Sequence, residues 1–84
     1  MQTVLELGEA VASRRRSLGL KQGAVAARAG ISQELLSRFE RGKSAEFGSR
    51  KLLAVLAVLG LEVKFTEMGT SGSLDELRLE RGGA

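Results

Sequence analysis

Apolar positions keep a helical rhythm up to residue 60 and an alternating rhythm after it. Leu7, Val11 and Leu18 share one stripe, at steps of four and seven residues, which predicts a helix over roughly 6–18 ended by Gly19. Val25 and Ala29 are four apart, with small Ala26 beside them. They predict a short second helix from Gln22 to about residue 29, with Gly30 as a left-handed stop. Ser32 is a candidate cap for a third helix that runs to about residue 41 and ends at Gly42. One side of it is apolar (Leu35, Leu36, Phe39), and the other carries Gln33, Glu34, Ser37, Arg38 and Arg41.

Residues 42–49, GKSAEFGS, predict a loop that Phe47 anchors to the core, with Ser49 capping a fourth helix over 49–59. That helix, SRKLLAVLAVL, is apolar almost all round: Leu52, Val55, Leu56 and Leu59 on one face, Ala54, Ala57 and Val58 on much of the other. A helix apolar on every side asks to be buried on every side, and an 84-residue chain has little left to cover the second face. A partner subunit is the expected cover. After Gly60, LEVKFT alternates, with Leu61, Val63 and Phe65 on one face and Glu62, Lys64 and Thr66 on the other. This predicts a strand over about 61–66. No second strand is evident, so the expected solution is antiparallel pairing with the same strand of a second copy. With the two-fold axis near Val63, Glu62 then faces Lys64 across the pair. The competing expectation is an extended arm on its own domain. Residues 1–68 read as one domain. The Gly/Ser/Thr-rich 69–84 read as a flexible tail whose SLDELRLE segment can form a helical turn on a partner.

Composition narrows the chemistry. There is no Cys and no His, so the commonest metal ligands, the commonest general base and any disulfide are missing. No carboxylate pair or phosphate-binding glycine loop is placed for catalysis, and the expectation is a non-enzyme without metal or cofactor. No apolar run reaches membrane-spanning length and no signal peptide is evident, so a cytoplasmic location is expected. Residues 1–51 carry ten Lys/Arg against five Glu, net +5, while 52–84 are net −2. A basic front half suits a polyanion. Only three Phe and no Trp or Tyr are present, which argues against base stacking on single strands. Arg15 falls on the apolar stripe of the first helix, where a buried guanidinium needs a carboxylate partner. Arg14 and Arg16 lie farther round, on what reads as a solvated basic face.

Two short helices joined through Gly30, with Val25, Ala29, Ile31, Leu36 and Phe39 apolar and Ala26 small at the approach, form a helix-turn-helix candidate. The run RRRSLGLKQGAVAARAGISQELLSRFERGK resembles the Cro/repressor-type (Xre) helix-turn-helix family over roughly residues 7–60. Gln22 matches the Gln that opens the family's second helix, and Glu40-Arg41-Gly42 matches its closing Glu-x-Gly. The resemblance implies a mainly α, lambda-repressor-like DNA-binding domain of four to five helices, with Arg15 paired to Glu40. The strand after the last helix resembles the HipB-type antitoxin branch. That likeness implies dimerisation partly through Leu61, Val63 and Phe65, autoregulation of an operon, and inhibition of a HipA-like serine/threonine kinase toxin. The alternatives are a free-standing Xre-type regulator and a protein-interaction module that uses the motif as scaffold.

On the family's alignment the third helix enters the major groove and offers Gln33, Glu34, Ser37 and Arg38 to base edges. Gln suits adenine, Arg guanine, and Glu the amino group of cytosine. Glu34 equally suits the positive start of a helix, and Leu35 lies between core and a thymine methyl. Gln22, Ser32, Arg41 and Lys43 are expected at phosphates, with the free N–H groups at the start of the second helix. Arg28, Arg50 and Lys51 add diffuse attraction or are solvated surface. One domain covers a half-site, so a dimer expects an inverted-repeat operator in double-stranded DNA.

Overall fold

The computed structural model describes residues 3–44 and 46–68. Among them are four helices: α1 (Val4–Ser17), α2 (Gln22–Ala29), α3 (Gln33–Glu40) and α4 (Ser49–Val58). No fifth helix occurs among the described residues, and the expected tail at 69–84 lies outside them.

Helix α1 starts two residues before the predicted position because Thr3 caps it. The Thr3 hydroxyl accepts from the Glu6 N–H at 3.0 Å and donates to the Glu6 carboxylate at 3.1 Å. The first bond satisfies one backbone donor that the first turn leaves open, and the second fixes the hydroxyl that does so. The far end corrects a second expectation. Leu18 is the C-cap of α1 and is exposed, while Leu20 packs on the core. Gly19, at φ +70°, turns the chain so that the Leu20 N–H reaches the Arg15 carbonyl at 3.0 Å. That closing turn swings Leu20 inward in place of Leu18.

Helix α2 ends at Gly30 in the left-handed conformation (φ 75°, ψ 29°), and Ile31 N–H returns to the Ala26 carbonyl at 3.0 Å. Three residues later α3 begins, with the Ser32 hydroxyl accepting from Leu35 N–H at 3.0 Å. The core is built from Val11, Val25, Ala26, Leu36, Phe39, Phe47, Val55, Leu56 and Leu59. The rings of Phe39 and Phe47 stack with centroids 4.1 Å apart and planes 19° apart, which fastens the α3–α4 loop to α3.

Helix α4 begins at Ser49, but Ser49 is not its cap: Gly48 occupies that position at φ 85°, with no side-chain cap bond. Val55 and Leu56 are buried within it, as is its C-cap Leu59, whereas Leu53 remains 53% exposed on the opposite side. Of the predicted second face only Ala57 is exposed, while Ala54 is half-buried and Val58 packs against the core, so that face is largely covered within the single chain. The expected strand at 61–66 is absent too: residues 61–68 take no regular secondary structure, and all are exposed. Among the described residues no neighbouring strand can accept and donate the backbone hydrogen bonds that a ladder requires.

Candidate nucleic-acid interface

The motif is held at one buried ionic knot. Arg15 donates from Nε to Glu40 Oε2 at 2.8 Å and from Nη2 to Glu40 Oε1 at 2.9 Å. Its Nη1 donates to the Leu20 carbonyl at 2.9 Å. Both residues are buried, Arg15 at 8% and Glu40 at 6% exposure. Gln22 adds a third donor to the carboxylate, from Nε2 to Oε1 at 2.9 Å. No buried side-chain polar atom among the described residues lacks a hydrogen-bond partner. A buried ion pair is tolerable only when satisfied in this way. The hydrogen bond and charge of Glu40 raise the Arg15 pKa above its already high ordinary value, outweighing the opposing effect of burial. The guanidinium is charged at any physiological pH. The carboxylate at the end of α3 thus ties α1 to the start of α2, and Arg15 adds the turn after α1.

Gln22 was expected at phosphate. The structure gives one of its amide N–H bonds to Glu40. A primary amide has two N–H donors, so the carboxylate orients Gln22 and leaves its second N–H for another acceptor. The N-cap of α2, Lys21, makes no side-chain cap bond.

Helix α3 turns Leu36, Phe39 and Glu40 inward, with Leu35 half-buried against the core. Gln33, Glu34 and Arg38 are exposed and Ser37 is half-buried, so these four share the outer side of a helix whose inner side is locked. Leu35 goes with the core. Arg41 and Lys43 are exposed just beyond the helix, and the Lys43 N–H caps back onto the Arg38 carbonyl at 2.8 Å. The Ser32 hydroxyl oxygen is used by its cap bond, which leaves its proton to donate. The candidate base readers and phosphate donors lie on one short stretch, 32–43, with Gln22 delivered next to it by Glu40.

Three positions carry roles that periodicity did not assign. Gly8 is buried in α1, and a Cβ there would run into the carbonyl oxygen of Phe39 and lie 3.1 Å from that of Glu40. A glycine inside a helix costs about 1 kcal/mol against alanine, and that cost was the available signal of close approach. Gly23, at the start of α2, lies under the side chain of Gln33: a Cβ at Gly23 would be 3.1 Å from Gln33 Oε1. Arg14 is not simply a solvated cation, since its Nε donates to the Leu59 carbonyl at 3.0 Å and closes the C-terminus of α4.

Among the described residues no helix is long and apolar enough to cross a membrane. A comparison with curated proteins gives no match. A family model described as a helix-turn-helix domain matches residues 6–64, more than two thirds of the chain. The match takes in α1 from Glu6 onward, all of α2, α3 and α4, and the Arg15–Glu40–Gln22 knot, and the chain belongs to the helix-turn-helix domain family.

Proposed function

We propose that this protein is a sequence-specific transcriptional repressor that binds double-stranded DNA as a dimer, in the cytoplasm at its operator. The observation that carries the reading is the outer side of α3, with Gln33, Glu34, Ser37 and Arg38 over an inner side locked by Leu36, Phe39 and Glu40. A reading helix must be held rigidly, because base-edge bonds discriminate only when donors and acceptors keep their geometry. Gln22, Ser32, Arg41 and Lys43 hold phosphates and set the register. Residues 1–68 are the binding and dimerising unit, with 69–84 as an appended tail. The work is binding, without catalysis.

Dimerisation through 61–66 has its support in the exposed Leu61, Val63 and Phe65 and in the exposed Leu53 on α4. The dimer presents two reading helices to an inverted repeat. Selection of bound DNA from a random library tests the proposal. An inverted repeat with half-sites about one helical turn apart is the expected product. A pool without any consensus sinks the sequence-specific reading, and a single asymmetric half-site sinks the dimer.

The finer form of this proposal is a HipB-like antitoxin that represses its own operon and restrains a HipA-like serine/threonine kinase toxin. Its support is the apolar, alternating segment placed directly after α4, joined to a DNA-binding domain. Co-expression with such a kinase should yield a stable complex. A free-standing regulator would bind the same DNA and capture no kinase.

A further inference from the structure

A groove of about 710 Å³ runs between α1, α4 and the segment that follows α4. Leu7 and Val11 of α1 and Leu56 of α4 give it an apolar lining, and Leu61, Glu62, Val63 and Lys64 all form part of its wall. Two residues past Val63 stands Phe65, 97% exposed and outside the groove of its own chain. An aromatic ring in water beside an unfilled apolar groove is an unpaired donor of contact area, because aromatic side chains contribute most when both faces are buried.

We infer that the groove is the socket for Phe65 of a second copy of this chain. The inference rests on the antiparallel dimer proposed above and specifies its contact. With the two-fold axis at Val63, that residue opposes itself, Glu62 opposes Lys64, and Leu61 opposes Phe65. Directly opposed residues in an antiparallel pair lie on the same face. Phe65 of the second copy therefore stands beside Leu61, and Leu61 lines the groove. Two-fold symmetry repeats the contact, so both rings and both grooves are used.

Charge favours the same register. Within one chain Glu62 and Lys64 lie 4.0 Å apart and are each 78% exposed. Pairing about Val63 sets each of them against the opposite sign in the second copy. A slip of one residue would set Phe65 of the second copy opposite Glu62 or Gly60 in place of Leu61. The occupant is thus specified by spacing, charge and apolar area together.

The chain holds no Trp and no Tyr, so Phe65→Trp gives it a single reporter. Its emission is followed over a dilution series, with sedimentation velocity on the variant and the wild type at the same concentrations. The expected result is blue-shifted emission wherever the dimer persists, moving to the emission of a solvated indole as it dissociates. Phe65→Ala, measured in parallel, should weaken dimerisation at least tenfold. A dimer whose Trp emits as in water, or one that tolerates Phe65→Ala, overturns the socket and leaves the dimer standing. A wild-type chain that sediments as a monomer throughout overturns the dimer, and the socket with it.

Discussion

Arg15 and Glu40 are 25 residues apart in sequence and joined by two hydrogen bonds, at 2.8 and 2.9 Å, inside a core of Val, Leu and Phe. Removing one partner strands the other charge in that core. Arg15→Met should destabilise the fold by roughly 3–5 kcal/mol, the usual loss for a broken buried pair. The double variant Arg15→Met/Glu40→Leu should recover part of that loss, because no charge is left unpaired. Urea denaturation followed by circular dichroism measures both. A double variant as unstable as the sum of the single ones would show that the pair's worth is not that of compensated burial.

The same pair sets an expectation for pH. The Arg15 pKa is raised, so its contribution is fully present below the unfolded value and is lost only as pH rises through the folded one. Both lie beyond the physiological range, so the arginine side of the lock gives no switch between neutral and mildly alkaline pH. Melting temperatures of the wild type and Arg15→Met should therefore keep a constant separation from about pH 7 to about pH 9. A separation that narrows over that range would mean that the pair itself titrates there.

Gly8→Ala is the test of the closest helix contact. Alanine is the better helix former by about 1 kcal/mol. At this position its Cβ would fall on the carbonyl oxygen of Phe39, which belongs to backbone and cannot rotate away. The expected outcome is net destabilisation of about 1–3 kcal/mol, the range for overpacking. Thermal denaturation decides the sign, and a stabilised Gly8→Ala would mean that α1 and α3 stand farther apart.

Much of this was legible in the sequence. The 3.6-residue pattern with Gly30 and Ser32 located α2 and α3 closely, and an arginine on an apolar stripe demanded a carboxylate. What pattern did not carry was tertiary proximity. Leu20 replaces Leu18 because a glycine turn, not periodicity, decides which leucine faces in. Gly8 and Gly23 matter for what their absent side chains would strike, and those atoms lie on other helices. Gly48 takes the cap from Ser49 because the loop enters α4 at positive φ. The alternation of 61–66 forms no strand in the single chain because strand formation needs a second backbone.

Arg38 and Lys43 are both exposed cations, and they should fail differently. Arg38→Ala should cost about 1–3 kcal/mol on a selected site and relax one base preference, as the loss of a bidentate base contact does. Lys43→Ala should weaken cognate and random DNA alike and reduce the salt slope by about one. Binding measured across salt concentrations on both DNAs separates them. Equal loss on both for Arg38→Ala would make it a phosphate contact, and an unchanged slope for Lys43→Ala would remove Lys43 from the interface.

Gln33 and Gly23 supply the last test, because one constrains the other. The Gln33 side chain lies over the start of α2, where a Cβ at Gly23 would come within 3.1 Å of its oxygen. That contact is tighter than ordinary van der Waals separation, yet the moving part is the far end of a flexible side chain. Gly23→Ala should therefore keep the fold, with stability equal to or above wild type by up to about 1 kcal/mol. What it should change is the direction in which Gln33 points. If Gln33 reads a base, Gly23→Ala alters the preference at the position that Gln33→Ala relaxes, and has no further effect in a Gln33→Ala background. Double-mutant binding on DNA variants at that one position measures the coupling. Additive effects would show that Gly23 acts on binding by another route, and an unchanged preference in Gln33→Ala itself would remove Gln33 from the readers.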